Sequence, residues 1–376
     1  MIETWIDRRG LAMLAGLALL AGCKVIPKGP PKPPPAPTPE AKLPSDGRHR
    51  VAVLVPLTGP NAVLGQSIAN ATTMALLDTN ARAIRLTIYN TATGPGEAAS
   101  QAIRDGNRLI LGPLENDDVA PVAAVARGGR VPLLTFAGDS AAAAKDVFVL
   151  GVTPDNAIDR VVNLAHARGS RRFALLAPKG DYGARATSAY AAALRAAGGT
   201  LVGSESYDRS NTSIVSAAQR LKARGGFDAV LIADSARLAA LAAPRLRRAR
   251  ILGTDLWSRD ASINKSVALR GAWFPALPDN RFAQFSASYK ARFGNAPYRQ
   301  ATLGYDSVLL TVRISREWRV GTPFPVARML DKDGYLGLDG PFRFAASGQG
   351  ERALEVREVR TGGITIVSPA PERFAD

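Results

Sequence analysis

Val51-Ala52-Val53-Leu54-Val55 decides the fold class. Five apolar residues in an unbroken run leave no polar face for water, as expected of a parallel strand covered on both sides. A Gly59-Pro60 turn follows, and then an amphipathic stretch that predicts a helix over 65–77. The cadence repeats, with strands predicted over 84–89, 109–111 and 131–135 and helices over 97–104 and 119–126. Such strand–helix–strand alternation implies a doubly wound parallel sheet.

A second set opens at Val147-Phe148-Val149-Leu150. Helices are predicted over 154–167, 184–196, 214–223 and 236–246, and strands over 173–177, 201–207, 229–233 and 251–253. Two sets of similar layout make two lobes. Later come helices over 280–293 and 300–318, then strands over 340–344, 354–359 and 364–367. Late elements of this kind complete earlier lobes, so the chain is expected to cross between them more than once. The expected architecture is α/β and two-lobed, each lobe a doubly wound parallel sheet flanked by helices. The first lobe takes 48–151 plus 276–330, and the second 152–275 plus 331–370.

The first residues have another chemistry. Arg8 and Arg9 precede an apolar run over 11–21, too short to span a bilayer, which needs ~20 apolar residues. The run ends in Leu20-Ala21-Gly22-Cys23, which holds the only cysteine. A secretory signal over 1–22 is the expectation. The other reading is an incidental cysteine behind an ordinary signal. Residues 23–47 are rich in proline, including Pro30, Pro31, Pro33, Pro34, Pro35, Pro37 and Pro39. Proline has no backbone N–H to give a helix or sheet. The stretch reads as a polyproline tether rising ~3.1 Å per residue, or less readily as a ligand for aromatic grooves.

About 330 residues remain for the folded body, enough for two lobes of ~100–200 residues. The chain of 376 residues is 46% hydrophobic, so large cores are available, and without Cys23 no disulfide can form. The formal charge is +16. Such charge attracts nucleic acid, acidic lipid or anionic polymer. Export excludes nucleic acid, and basic residues do not interleave with aromatics as in single-strand binders. Arg245, Arg247, Arg248 and Arg250 illustrate the two readings left: a solvated basic surface, or a site for cell-wall polymer or anionic membrane.

Catalytic groups are scarce. His49 lies at the edge of the tether and His166 near a helix end. Gly94-Pro95-Gly96 lacks the Lys-Ser/Thr of a phosphate loop, and no Gly-x-Ser-x-Gly elbow occurs. No enzyme activity, cofactor or metal is expected.

Two resemblances add to this reading. Leu20-Ala21-Gly22-Cys23 resembles a bacterial lipobox, which implies cleavage before Cys23 and lipid on it. Lys24, where an aspartate would favour inner-membrane retention, resembles the outer-membrane pattern. The resemblance therefore implies a lipid-anchored protein on the periplasmic side of the outer membrane. Val53-Leu54-Val55-Pro56-Leu57-Thr58-Gly59-Pro60, with Leu64-Gly65-Gln66, resembles the opening of type I periplasmic binding proteins of the Leu/Ile/Val-binding kind. Leu111-Gly112-Pro113-Leu114, Tyr182-Gly183, Phe293-Gly294 and Gly304-Tyr305-Asp306 extend it.

Gly253-Thr254-Asp255-Leu256-Trp257, Ala272-Trp273-Phe274 and 337–344 look like one branch of that superfamily, the lipid-anchored penicillin-binding-protein activators of the LpoA type. The resemblance implies a regulator of a peptidoglycan synthase, possessing no enzymatic role, with peptidoglycan as a further contact. Those activators carry a helical-repeat domain where this sequence has its proline tether. The alternatives are an ABC-transporter receptor for branched-chain amino acids or a related solute, and a cell-wall sensor binding a muropeptide.

The resemblance also places a cleft between the lobes, with Asn116, Asp117, Thr135, Ala137, Asp139, Tyr182, Asp255 and Trp257 as candidate lining. Amino-acid binders grip the ligand carboxylate with N–H groups and a hydroxyl after the fourth strand. Asp139 stands where they carry threonine, and 115–118 is acidic. At an effective dielectric of ~20, a carboxylate 4 Å from another costs ~4 kcal/mol. Asp255 falls near the residue that holds the ammonium group, and Tyr182 matches a cleft tyrosine. The expectation is a cleft that does not take a free α-amino acid by the usual contacts; whether it takes any small molecule stays open. Asp117, Asp139 and Asp255 read equally well as helix caps and turn residues. Trp257 and Trp273 read as packed near the lobe junction or as sugar platforms.

Overall fold

The structure, a computed structural model, describes residues 47–374 apart from the side chains at 259 and 261. The expected signal segment, Cys23 and the tether up to residue 46 lie outside the described residues. Among the described residues no helix is long and apolar enough to cross a membrane.

The opening run becomes β1 (His49–Val55), with Val51 through Val55 fully buried. It leads into α1 (Ala62–Asp78), β2 (Ile84–Asn90), α2 (Pro95–Arg104), β3 (Ile110–Leu111), α3 (Asn116–Gly128), β4 (Leu133–Thr135) and β5 (Val147–Val149). These strands form a parallel sheet in the order β2-β1-β3-β4-β5, the core of the first lobe.

The second lobe starts at α4 (Pro154–Ala167). Thr153 caps it, its hydroxyl accepting from Asn156 N at 3.3 Å, and Pro154 supplies a preset φ at the first turn. Then come β6 (Arg172–Pro178), α5 (Asp181–Ala197), β7 (Thr200–Tyr207), α6 (Ser213–Arg224), β8 (Ala229–Ile232), α7 (Ala236–Ala242), β9 (Arg250–Leu252) and β10 (Trp273–Ala276). The helix expected over 236–246 stops at Ala242 because Pro244 has no N–H to continue it, and a 3-10 turn, Ala243–Arg245, takes over.

The remaining elements are α8 (Asn280–Phe293), α9 (Ala301–Ser315), β11 (Tyr335–Gly337), β12 (Gly340–Phe344), β13 (Gly350–Arg352), β14 (Glu355–Arg360) and β15 (Gly363–Ser368). The second sheet runs β15-β14-β10-β9-β8-β6-β7. The five strands β10-β9-β8-β6-β7 are parallel, and β14 and β15 add an antiparallel edge on the β10 side. A third, antiparallel sheet, β11-β12-β13, was not expected as a unit. Tyr335, Phe342 and Phe344 pack into the core that holds Val51, Val53 and Phe148. The expectation put 331–370 with the second lobe; this part of it sits on the first, and 355–368 pairs into the second sheet. The chain passes between the lobes at 150–153, 277–279 and 353–354.

Both lobes open with the same close approach of strand to helix. A Cβ on Gly65 in α1 would stand 1.8 Å from Pro56 O, and one on Gly183 in α5 would stand 1.7 Å from Pro178 O. Only glycine lets the helix lie that near the end of the strand.

Candidate functional site

In open parallel sheets a ligand crevice forms beyond the carboxyl ends of the strands. Here the carboxyl ends of β3, β4, β6 and β9 face a cleft between the lobes. It consists of two cavities of about 410 and 400 Å³ that share Phe136, Gly138, Val152, Asp255 and Gln300. That is within the usual size for small-molecule sites, ~300–1,000 Å³.

The structure brings Asn116, Asp139, Tyr182 and Asp255 together on the wall of one cavity. It moves three other expected lining residues into the interior. Thr135 is fully buried: its hydroxyl donates to Pro113 O at 3.0 Å and accepts from Ala137 N at 3.1 Å. Ala137 is itself buried, and its amide is used up by that bond. Trp257 is also fully buried, in the second-lobe core, with its indole Nε1 donating to Asp234 O at 2.8 Å. Its large apolar surface and single donor are both satisfied there, so packing claims it. Asp117 is exposed in the first turn of α3, where a carboxylate favours the helix dipole.

The anion-gripping half of the cleft is therefore occupied from within. Asp139 caps a 3-10 turn, Ser140–Ala142, by accepting from Ala141 N at 3.1 Å. It also faces Arg185 of the second lobe, whose Nε lies 3.9 Å from Asp139 Oδ1. Next to it, Ser140 Oγ donates to Asp155 Oδ2 at 2.5 Å, again from first lobe to second. Polar groups that would meet a carboxylate instead join the lobes. Glu115, on the same wall, accepts from Asn61 Nδ2 at 2.9 Å. Asp118 is raised from the ordinary carboxylate range by burial and by Glu115 nearby.

On the second lobe, Tyr182 donates to Thr254 Oγ1 at 3.4 Å and lies under Arg209, 5.0 Å from its ring. Burial pushes the Tyr182 hydroxyl up to about 12, so it is a neutral donor at any physiological pH. Arg209 is fixed by Asp234, which accepts from Arg209 Nε at 2.8 Å and from Tyr207 Oη at 2.6 Å. The second cavity has its own ionic wall: Arg299 pairs with Asp279 and Asp339, and Arg357 with Asp279 and Glu355. Sequence reading missed Arg185, Arg209, Asp234 and Gln300. Asp234 could have been found, since Ala233-Asp234-Ser235 follows a buried apolar run where site residues gather.

His49 is buried and stacked on Trp318 at 4.1 Å, remote from the cleft lining, and desolvation lowers its pKa. Among the described residues no group of three His, Cys, Asp or Glu is placed to hold a metal ion.

The profile of a family described as periplasmic binding protein matches residues 49–363. The chain belongs to the periplasmic binding protein family. A Rhodospirillum rubrum protein assigned as a branched-chain amino acid ABC transporter has a similar fold: TM-score 0.75, 19% identity, covering 85% of this chain and 100% of that one. Full-length LpoA from Haemophilus influenzae gives a TM-score of 0.68 at 17% identity, covering 85% of this chain and 59% of that one. An uncharacterized protein of Rickettsia prowazekii, RP748, is 26% identical over 134 residues, 35% of this chain; the match spans 36% of that relative. At these identities the two structures bear on the fold alone.

Proposed function

We propose that this periplasmic binding protein is a non-enzymatic regulator of peptidoglycan synthesis. In this reading it is anchored in the outer membrane through Cys23, on the periplasmic side, and activates a penicillin-binding protein. The observation that carries the reading is the internal use of the carboxylate cradle. Thr135 Oγ1 and Ala137 N bond each other, and Asp139 faces Arg185 across the cleft. A scaffold whose cleft donors are used within its own first lobe, and whose facing acid is turned to an arginine of the other lobe, suits a protein that works through its surface. The likeness to LpoA, covering 85% of this chain, is compatible with the same role.

Crosslinking in intact cells with identification of the captured protein tests the proposal. Capture of a peptidoglycan synthase supports it. Capture of permease subunits alone overturns it. Calorimetry adds a second arm, in which leucine is expected to give no saturable heat.

One observation favours the second reading, a solute receptor of an ABC transporter. The cleft is open to a small molecule, and Glu115, Asp139 and Asp255 give one wall an acidic character. Such a wall suits an ammonium or polyol group, so the solute in this reading is cationic or neutral. A melting-temperature screen with such solutes tests it, a concentration-dependent rise being the expected sign.

A further inference from the structure

At the opposite end of the second sheet, where β8, β9 and β10 begin, lies a groove of about 600 Å³. β6 is seven residues long, so at ~3.3 Å per residue this groove is roughly 20 Å from the cleft. Five arginines line it: Arg168 after α4, Arg247 and Arg248 before β9, Arg250 in β9 and Arg270 before β10. Asp228 is the one acidic residue among its lining.

That acid is already committed. Asp228 Oδ2 accepts from Arg171 N and Arg172 N, each at 2.9 Å, and these bonds lower its pKa. Arg250 is held in place, stacked over Trp273 at 4.3 Å and donating to Gly271 O at 2.6 Å. Arg247, Arg248 and Arg270 are exposed and make no hydrogen bond or ion pair among the described residues. Other exposed arginines, such as Arg130, Arg195 and Arg237, also make no side-chain hydrogen bond or ion pair among the described residues, but they do not line this groove, while several more are paired. Arg220 and Arg224 both pair with Glu205, at 2.8 and 2.6 Å, and Arg104 pairs with Glu97 at 2.7 Å. What sets the groove apart is that five arginines share one concavity whose only acid is already bonded to backbone.

Like charges gathered this closely destabilise one another unless an anion joins them. A carboxylate offers two oxygens in one plane and suits one guanidinium fork. The arginines here come from three separate segments, around 168, 247–250 and 270. A tetrahedral phosphate, with oxygens on all sides, matches that arrangement. We propose that the groove binds phosphate groups, carried either by a soluble phosphorylated molecule or by a lipid headgroup. Val267, 57% exposed on the groove wall, sets an apolar side chain beside the charges, as a headgroup at a lipid surface would require.

The test uses the full chain at physiological salt. Pyrophosphate is titrated by calorimetry, and vesicles of phosphatidylglycerol in phosphatidylcholine are compared with phosphatidylcholine alone by co-sedimentation. R247A/R248A/R270A is expected to weaken at least one of these bindings by about tenfold or more. R104A/R220A/R224A removes the same formal charge from other faces and is expected to bind as wild type. Loss in the pyrophosphate arm identifies a soluble ligand, and loss in the vesicle arm alone identifies a headgroup. The proposal is overturned if the groove variant binds both probes as wild type does, or if the control variant loses as much. All six side chains are solvent-facing, so unchanged melting of both variants is the check on folding.

Discussion

Trp257 separates two readings that make opposite predictions. As a cleft platform it would matter to a ligand and little to stability. In the structure it is fully buried, its ring 6.0 Å from that of Phe274, and its Nε1 bonds Asp234 O. Trp257→Ala removes one of the largest buried side chains and leaves a cavity, which costs roughly 4 kcal/mol. The unpaired Asp234 carbonyl adds about 1 kcal/mol. At about 2–4 °C per kcal/mol, the second lobe should melt roughly 10–20 °C lower. Trp257→Phe keeps most of the apolar contact and loses the bond, so its cost is about 1–2 kcal/mol.

Gly253 supplies an internal control. A Cβ there would stand 2.3 Å from the indole, so Gly253→Ala alone overpacks the site. In the double variant the new methyl enters the space the indole has left. The two costs should then fall short of their sum by about 1–2 kcal/mol. Differential scanning calorimetry of wild type and these four variants measures the costs and their coupling. A Trp257→Ala protein that melts within about 2 °C of wild type would refute the packing argument, given the expected slope.

Thr135→Val should destabilise by about 2 kcal/mol, because Ala137 N loses its buried acceptor; an unchanged urea midpoint contradicts this. Ala at Gly183 or at Gly65 should each be strongly destabilising, since backbone carbonyls stand where the Cβ would go; equal melting of wild type and Gly183→Ala denies the shared strand–helix contact. Burial raises the Asp306 carboxyl to about 7, even with Arg352 Nη1 3.6 Å away. The unfolded chain gives up that proton first, near pH 4, so this group costs stability as pH rises from about 4 to 7 and no more beyond it. Asp306→Asn retains an acceptor for Leu338 N but does not titrate, so the stability difference should move in its favour across that window. Stability curves that stay parallel for the two proteins remove the assignment.

The fold was legible wherever burial covers both faces of a strand. Val51 through Val55 and Ala229 through Ile232 are unbroken apolar runs, and both are fully buried. β11 and β13 were not legible, being three residues each and mixed in polarity. Their place is set by Tyr335 and Phe342 docking on a distant core, which no local pattern encodes. The cleft was half legible for the same reason. Asn116, Asp139, Tyr182 and Asp255 could be placed on it by chain position. Trp257 could not be excluded, because its donor is satisfied by Asp234, 23 residues away in sequence. Nor could Arg185 be matched to Asp139, since the two belong to different lobes.

The crossing segments bear on how far the lobes can move. A hinge works when a few residues absorb a change in φ and ψ. Here arginines grip the carbonyls of those residues. Leu277 O accepts from Arg357 of the second lobe at 2.9 Å, and the adjacent Pro278 O accepts from Arg299 of the first lobe, also at 2.9 Å. Both arginines also reach Asp279, so one short segment is held from both sides. Leu354 O is held by Arg160 at 2.7 Å, and Leu150 O by the buried Arg352 at 2.8 Å. Hydrogen bonds to charged donors are worth about 1.5–3 kcal/mol each. A rotation that pulls the lobes apart must drag Arg299 and Arg357 in opposite directions or release Asp279 from one of them. The same rotation must part Asp139 from Arg185 and Ser140 from Asp155 across the cleft. Each such bond weights the equilibrium toward this arrangement of the lobes, and a ligand or partner that opens them must bind the opened form more tightly by at least that much.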